Sequence, residues 1–193
     1  MRPAWVRLSD TAAIALFTLL ALTLASHLRP APLLALAALL AYLAGDLASG
    51  LVHFFCDNFF EEDSPFIGKL LIHPFREHHR DPLRMTAHTF AELNGNSCLA
   101  MLPTMAAAVY DRDRIPPFLL AAILFFHLSL FATNLFHRWA HFTVVPAPVR
   151  WLQQHWLILT PAAHRAHHRN GRGAYCITSG WMNRPLDRML GHR

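Results

Sequence analysis

Clustered histidines are the residues in this sequence most suited to chemistry, because eight of the 14 fall at spacings that allow metal binding. The clusters are His78 and His79, His137 and His141, and His164, His167 and His168, with His53 followed four residues later by Asp57. Imidazole binds iron, copper or zinc without adding negative charge. Side chains four apart on a helix share a face, whereas adjacent ones diverge by about 100° and can serve two different ions. The pattern predicts a metal centre.

The number of donors favours two ions over one. His88 lies in the same segment as His78 and His79 and is a ninth candidate imidazole. Catalytic zinc commonly uses three protein ligands and structural zinc four, whereas a nitrogen-rich set of this size suits two iron ions with room for O2. Asp57 is either a tenth ligand or an acid near the site. Histidines that contact lipid phosphate are the simplest alternative, but several spaced sets make it less favourable.

Acceptors are also expected near the metal, since ligating imidazoles usually donate their other N–H to a fixed group. The nearby carboxylates are those of Asp46, Glu77, Asp81 and Glu92. These four residues are predicted to orient the ligands.

Long apolar segments must position these clusters. The chain has 193 residues, of which 54% are hydrophobic and 15% charged. Residues 11–28, 33–52 and 117–136 approach the length of about 20 residues that crosses a bilayer. Segment 98–110 is shorter and crosses only if it recruits part of 89–97.

We predict an all-α integral membrane protein that forms a single domain over 1–193. It has about four transmembrane helices, an N-terminal anchor within 1–30 and a cytoplasmic histidine-rich cap. A signal peptide over 1–26 is the alternative for the first segment.

The distribution of positive charge predicts the orientation. With four spans, only Arg29, Arg112 and Arg114 of the 17 Lys and Arg lie in the loops opposite the termini. The positive-inside rule then places both termini and every histidine cluster on the cytoplasmic face. The formal net charge of +5 fits anionic lipid head groups, and nothing resembles a nucleic-acid-binding module. The three cysteines are isolated, so neither a disulfide framework nor a thiolate metal cluster is expected.

Several blocks together resemble one family, the Kua and CarF lipid desaturases, which include the plasmanylethanolamine desaturases. The resemblance covers about residues 45–190. Six blocks carry it, and the second includes Arg76, Glu77, His78, His79 and Asp81. In chain order the blocks are Gly45-Asp46 to His53; Pro74 to Pro82; Asn94-Gly95; His137 to His141; His164-Arg165-Ala166-His167-His168; and Tyr175 to Leu186. The chain departs from the family pattern beside His88, where Ala87 and Thr89 stand, and this bears on lipid selectivity.

The resemblance implies a membrane-embedded, non-haem di-iron oxidoreductase that uses O2 and electrons from an external donor, such as a cytochrome b5-like or ferredoxin-like protein. In the plasmalogen branch the substrate is the sn-1 alkyl chain of an ether phospholipid, which becomes a vinyl ether. The eight clustered histidines, His88 and Asp57 are then the expected iron ligands. Arg76, Arg80 and Arg165 are predicted to meet the lipid phosphate or an acidic donor, and Asn94 is a further candidate near the substrate.

Other functions compete with this one. The same centre could desaturate an acyl chain or hydroxylate a lipid. A haem-binding electron carrier would need ligands within the spans, where only His27 and His127 lie, at different depths. A metal transporter would need ionisable residues lining the spans, which are nearly free of them. A metalloprotease is disfavoured because the H-E-x-x-H motif is absent.

Overall fold

Helices make up all the regular structure in the part of the chain that the computed structural model describes, residues 4–30 and 32–191, so the all-α prediction is confirmed. The helices are α1 (Ala4–His27), α2 (Leu34–Asn58), a π-helical turn (Gly68–Ile72), α3 (His73–Arg80), α4 (Arg84–Ala87), α5 (Phe90–Tyr110), α6 (Pro117–His141), α7 (Ala147–Gln154), α8 (Pro161–Asn170) and α9 (Asn183–Met189).

Three of these helices are long and apolar enough to cross a membrane, over Trp5–His27, Leu34–Asn58 and Pro117–His141. Helix α5 has 21 residues but is not among them, and its first half carries Glu92, Asn94 and Asn96. A fourth span and the cytoplasmic position of the cap therefore remain predictions. Helices α2 and α6 extend past the apolar segments read from the sequence. The final turns of α2 carry His53 and Asp57, and those of α6 carry His137 and His141.

By contacts the chain divides into two units, of which the first comprises Met1–Gly45 and Thr89–Ala132. Its core is a cluster of buried apolar side chains from α1, α5 and α6. The cluster contains Ala13, Phe17, Ala21 and Leu24 of α1, Cys98, Met101, Met105 and Ala108 of α5, and Leu120 and Leu124 of α6. Steps of three and four residues place each set on one helix face. Whether α1 is a retained anchor stays a prediction.

The second unit comprises Asp46–His88 and Thr133–Arg193 and contains every predicted iron ligand. Its short helices have clear local causes. Helix α8 begins at Pro161 after Thr160, whose side chain accepts a hydrogen bond from the backbone N–H of Ala163. It ends at Gly171, which adopts the left-handed conformation at φ 62° and donates its N–H to the carbonyl of His167. Between α8 and α9 the chain is mostly buried, and we call residues 173–182 the strap.

Candidate metal centre

Five histidines form the first of two groups whose donor atoms lie close enough to hold a metal ion. We call it the five-imidazole group, and it consists of His78, His137, His141, His164 and His168, with one donor atom from each within 4.8 Å of the others. The Nε2 atom of His164 is the centre of the set. It lies 2.8 Å from Nε2 of His137, 2.8 Å from Nε2 of His141 and 3.0 Å from Nε2 of His168. Helices α3, α6 and α8 supply these side chains.

The second group combines three imidazoles with one carboxylate, and we call it the carboxylate group. It consists of His53, Asp57, His79 and His167, from α2, α3 and α8. The Nε2 atom of His79 lies 3.2 Å from that of His53 and 3.3 Å from that of His167. Oδ2 of Asp57 lies 3.2 Å, 3.4 Å and 3.7 Å from Nε2 of His79, His53 and His167 respectively.

Backbone carbonyls of the strap fix the tautomers of two imidazoles in the carboxylate group. His53 Nδ1 lies 3.0 Å from the carbonyl oxygen of Tyr175, and His167 Nδ1 lies 2.7 Å from that of Gly173. A carbonyl only accepts, so Nδ1 carries the proton in both rings and donates it. The lone pair of each ring is then on Nε2, which faces Asp57 and His79. Lone pairs and a carboxylate aimed at one point repel each other unless a cation lies between them.

The five-imidazole group presents the same conflict. His164 Nε2 faces three other Nε2 atoms, and a single proton cannot satisfy all three contacts. Two nitrogen ligands about 2.1 Å from one ion and at right angles to each other are about 3.0 Å apart, close to the observed spacing. His78 Nε2 and Asp57 Oδ1 are also buried without a hydrogen-bond partner among the described residues. The donor set fits a nitrogen-preferring metal such as iron.

Burial favours the neutral form of three imidazoles in the five-imidazole group, and metal binding needs that form. Desolvation, followed by the neighbouring His79, His168 and His141, lowers the pKa of His78 from 6.5 to about 2. Desolvation also lowers the pKa of His168, to about 3, and that of His164. These side chains therefore offer lone pairs at neutral pH.

The two groups adjoin each other. The rings of His78 and His79 have centroids 4.4 Å apart, and those of His79 and His168 are 4.7 Å apart. His78 enters the five-imidazole group and His79 the carboxylate group, which is the divergence expected of adjacent helical residues. Helix α3 thus contributes one ligand to each group.

Asp46 holds the strap in place and is fully buried. Its Oδ1 accepts hydrogen bonds from the backbone N–H groups of Thr178, Ser179 and Gly180 at 3.1, 2.8 and 3.0 Å. Its Oδ2 accepts a fourth from Met182 at 2.9 Å. Asp46 was expected to contact a ligating histidine, but it acts on the backbone segment whose carbonyls contact two of them.

The other predicted acceptors form bonds elsewhere. Glu77 Oε1 accepts from Arg84 Nε at 2.9 Å, and Glu92 forms a capping box with Thr89 at the start of α5. Asp81 is exposed and ends α3.

Two of the predicted phosphate-binding arginines are already engaged within the protein. Arg76 donates to the carbonyl oxygens of Cys56, Phe59 and Phe60 and pairs with Glu61. Arg80 pairs with the carboxylate of Glu62. Arg165 is exposed on α8.

Three further residues complete the account of the predicted site. His88 follows α4, is half-buried and belongs to neither group of donor atoms, so its role as a ligand remains a prediction. Asn94 lies in the first unit, where its buried side chain donates to the carbonyl of Phe90. Asp187 was not predicted, yet both its carboxylate oxygens accept from the N–H of Ala174 in the strap.

Comparison with known proteins assigns the chain to a family. A family model described as a lipid desaturase domain matches residues 42–191. The chain is 42% identical to a plasmanylethanolamine desaturase of Myxococcus xanthus, over 94% of this chain and 67% of the relative. It is 39% identical to plasmanylethanolamine desaturase 1 of Mus musculus, over 81% of this chain and 61% of that protein. A chloroplastic fatty acid desaturase 4 of Arabidopsis thaliana is 34% identical, over 84% of this chain and 50% of the relative.

The chain belongs to the lipid desaturase family. It is therefore an oxidoreductase, because introducing a double bond removes two hydrogens from the substrate. The predicted family is confirmed, and the three apolar helices agree with a multi-pass membrane protein. The chain spans about half to two thirds of the length of these relatives. No solved structure matches it.

Proposed function

We propose that this chain is an O2-dependent di-iron desaturase that converts the sn-1 1-O-alkyl chain of an ether phospholipid into the vinyl ether of a plasmalogen. The observation that carries the proposal is the pair of adjoining donor groups, with eight imidazoles and one carboxylate. The relatives named plasmanylethanolamine desaturases, at 42% and 39% identity, support the ether-lipid substrate. The fatty acid desaturases, at 30–34% identity, fit the acyl-chain alternative less well.

The reaction balances with one external donor. One hydrogen leaves each of the two carbons nearest the ether oxygen, and a C=C bond forms between them. O2 accepts four electrons, two from the C–H bonds and two from a cytochrome b5-like or ferredoxin-like protein. With two further protons it leaves as two molecules of water. Iron, when bound, supplies the activation of O2 and the abstraction of hydrogen.

The protein residues divide the remaining work. His53 and His167 are held by the strap with their lone pairs directed toward Asp57 and His79, so that the donor set is preorganised. Five of the eight rings are buried, those of His53, His78, His137, His164 and His167, and their burial limits the access of water to the donor atoms. Arg165 is exposed on the same helix as three ligands and is a candidate contact for the lipid phosphate. We place the site on the cytoplasmic face, from the charge distribution of the sequence.

Expression in cells that contain 1-O-alkyl phospholipids tests the activity. The expected product is an acid-labile vinyl ether, two hydrogens lighter than the substrate, detected by mass spectrometry. A stable product of that mass would indicate acyl desaturation, and one oxygen more would indicate hydroxylation; either result contradicts the ether-lipid proposal. A Soret band in the purified protein would indicate a haem carrier.

Substitution of ligands tests the site itself. His78→Ala and His164→Ala should each abolish the vinyl ether and reduce the iron content of the purified protein. His155→Ala is the matched control, since His155 is exposed, belongs to neither group and packs on Trp151. Product formation at the wild-type level by either ligand variant would contradict the assignment.

A further inference from the structure

Exposed aromatic and aliphatic side chains cover the segment that follows α2 and runs into the π-helical turn. We call residues 59–70 the aromatic loop. Phe66 is 91% exposed and Leu70 62%, and Phe59 and Phe60 are each about half exposed. Large apolar side chains this exposed and this close together mark a contact surface for another apolar phase or partner.

The loop continues the apolar outer face of α2. Leu51, Val52 and Phe55 are exposed on the last turns of this helix. Leu51 and Phe55 each lie two positions from His53, about 200° round the helix from the buried ligand. The ring of Phe55 stacks on that of Phe59, with centroids 5.5 Å apart, and packs against that of Phe60 at 5.2 Å. The lipid-facing surface of the span therefore runs without a break into the loop.

Polar contacts hold the loop in its outward-facing form. Arg76 of α3 donates to the carbonyl oxygens of Phe59 and Phe60, and Glu62 pairs with both Arg80 and His73. Phe60 and Phe66 have φ values of 61° and 64°, a conformation that side chains with a Cβ rarely adopt. These contacts maintain a strained backbone with Phe66 directed outward, where it is almost wholly exposed.

We propose that the aromatic loop inserts into the bilayer at the boundary between head groups and acyl chains, in the leaflet where α2 ends. Phe and Leu side chains on the apolar face of an interfacial segment bury at this depth. Exposed Lys69 is placed to contact lipid phosphate, whereas exposed Asp63 belongs on the aqueous side of the loop. A protein partner could also cover an apolar loop, but continuity with the lipid-facing side of α2 favours the membrane.

Single fluorescent labels on the loop test this depth. The native cysteines, Cys56, Cys98 and Cys176, are fully buried, so a thiol reagent should react only with an introduced cysteine. Phe66→Cys and Leu70→Cys report on the inserted side, and Asp63→Cys is the matched control in the same loop. Each iron-loaded variant is labelled with an environment-sensitive nitrobenzoxadiazole dye and placed in nanodiscs of phosphatidylcholine and phosphatidylglycerol.

Two quenchers then distinguish labels that contact lipid from labels that contact water. Lipids carrying a nitroxide near the head group should quench the labels at 66 and 70 about twofold or more above the label at 63, and aqueous iodide should show the opposite order. Equal access of iodide to all three labels would overturn the proposal, as would lipid quenching no greater at 66 and 70 than at 63. Leu70→Cys keeps the test valid if Phe66→Cys fails to fold. The readout is depth and not turnover, so its failure leaves the proposed desaturase activity intact.

Discussion

Replacing Asp46 with asparagine isolates the function of the strap. The variant keeps the size of the side chain but removes its charge and turns one acceptor oxygen into a donor. Asp46 accepts four backbone hydrogen bonds, three on Oδ1 and one on Oδ2. The best orientation of the amide places its oxygen at the position of Oδ1 and its nitrogen opposite the N–H of Met182.

The hydrogen bonds of Asp46 determine how much stability the variant should lose. A hydrogen bond to a charged group contributes about 1.5–3 kcal/mol and a neutral one about 0.5–1.5 kcal/mol, so three weakened bonds cost about 3 kcal/mol. The lost bond to Met182 adds about 1–2 kcal/mol. A total of about 4–5 kcal/mol is a large fraction of the typical stability of a domain, about 5–15 kcal/mol. We therefore expect the strap to detach and the carbonyls of Gly173 and Tyr175 to leave their imidazoles.

Loss of that contact should weaken metal binding in the carboxylate group by about 10- to 100-fold, the usual effect of removing a hydrogen-bond partner from a metal ligand. The measurement is iron per chain after dialysis against a weak chelator. Wild-type protein should retain about two irons and Asp46→Asn about one, since the two imidazoles that contact the carbonyls of Gly173 and Tyr175 both belong to the carboxylate group. Asp81→Asn makes the same chemical change at an exposed position and should retain both. Two irons in Asp46→Asn, at unchanged affinity and thermal stability, would refute the argument.

Three further predictions concern single features of the second unit. Asp57→Asn should lower the iron content by about one per chain, because it removes the only carboxylate among the donor atoms of the two groups. The metal-free protein should lose stability as the pH falls from 6.5 toward 3, measured as a fall in Tm. Unfolded His78 and His168 take up protons near pH 6.5, whereas burial holds their pKa values in the folded protein at about 2 and about 3. Gly50→Ala should lower stability by about 1–3 kcal/mol, because the added Cβ would lie 2.5 Å from Sγ of Cys176.

Each of these has a clear contrary outcome. Undiminished iron in Asp57→Asn would show that its carboxylate binds no metal. A Tm that stays constant between pH 6.5 and 4 would show that the histidines are not held neutral by burial. For Gly50→Ala the matched control is Gly171→Asn, at a left-handed position with nothing within 4 Å of an added Cβ. A loss of stability as large in this control would argue against crowding as the cause.

The sequence predicts much of the fold because apolar length and histidine spacing are local signals. The spans, the continuation of α6 through His137 and His141, and the i,i+4 pair of His164 and His168 follow from helix geometry alone. Whether segment 98–110 recruits the polar residues before it, as α5 does from Phe90, does not follow, because a helix can continue beyond its apolar stretch when tertiary contacts support it. Those contacts form between residues distant in sequence.

The atoms that orient the ligands could not be predicted in the same way. The sequence suggested carboxylates as partners of the imidazoles, yet His53 and His167 donate to backbone carbonyls of Tyr175 and Gly173. Every residue has a carbonyl, so residue type gives no signal for this role. Arg76 shows the opposite case, in which the residue type suggests a partner that the structure does not provide. A basic residue near a membrane suggests phosphate binding, but this one caps the carbonyls at the end of α2.

The two groups should respond differently to loss of their α3 ligand. His78→Ala leaves four imidazoles in the five-imidazole group, which bind an ion more weakly than five, whereas His79→Ala leaves only two imidazoles and Asp57 in the carboxylate group. His79 is also the ring nearest to the Asp57 carboxylate, at 3.2 Å. We therefore expect His79→Ala to lose iron at a lower chelator concentration than His78→Ala, although both should stop turnover. The measurement is iron per chain across a chelator titration, with His155→Ala as the control. Loss of iron from His78→Ala first would mean that the number of remaining donors does not govern retention, and the division into two separately loaded groups would be wrong.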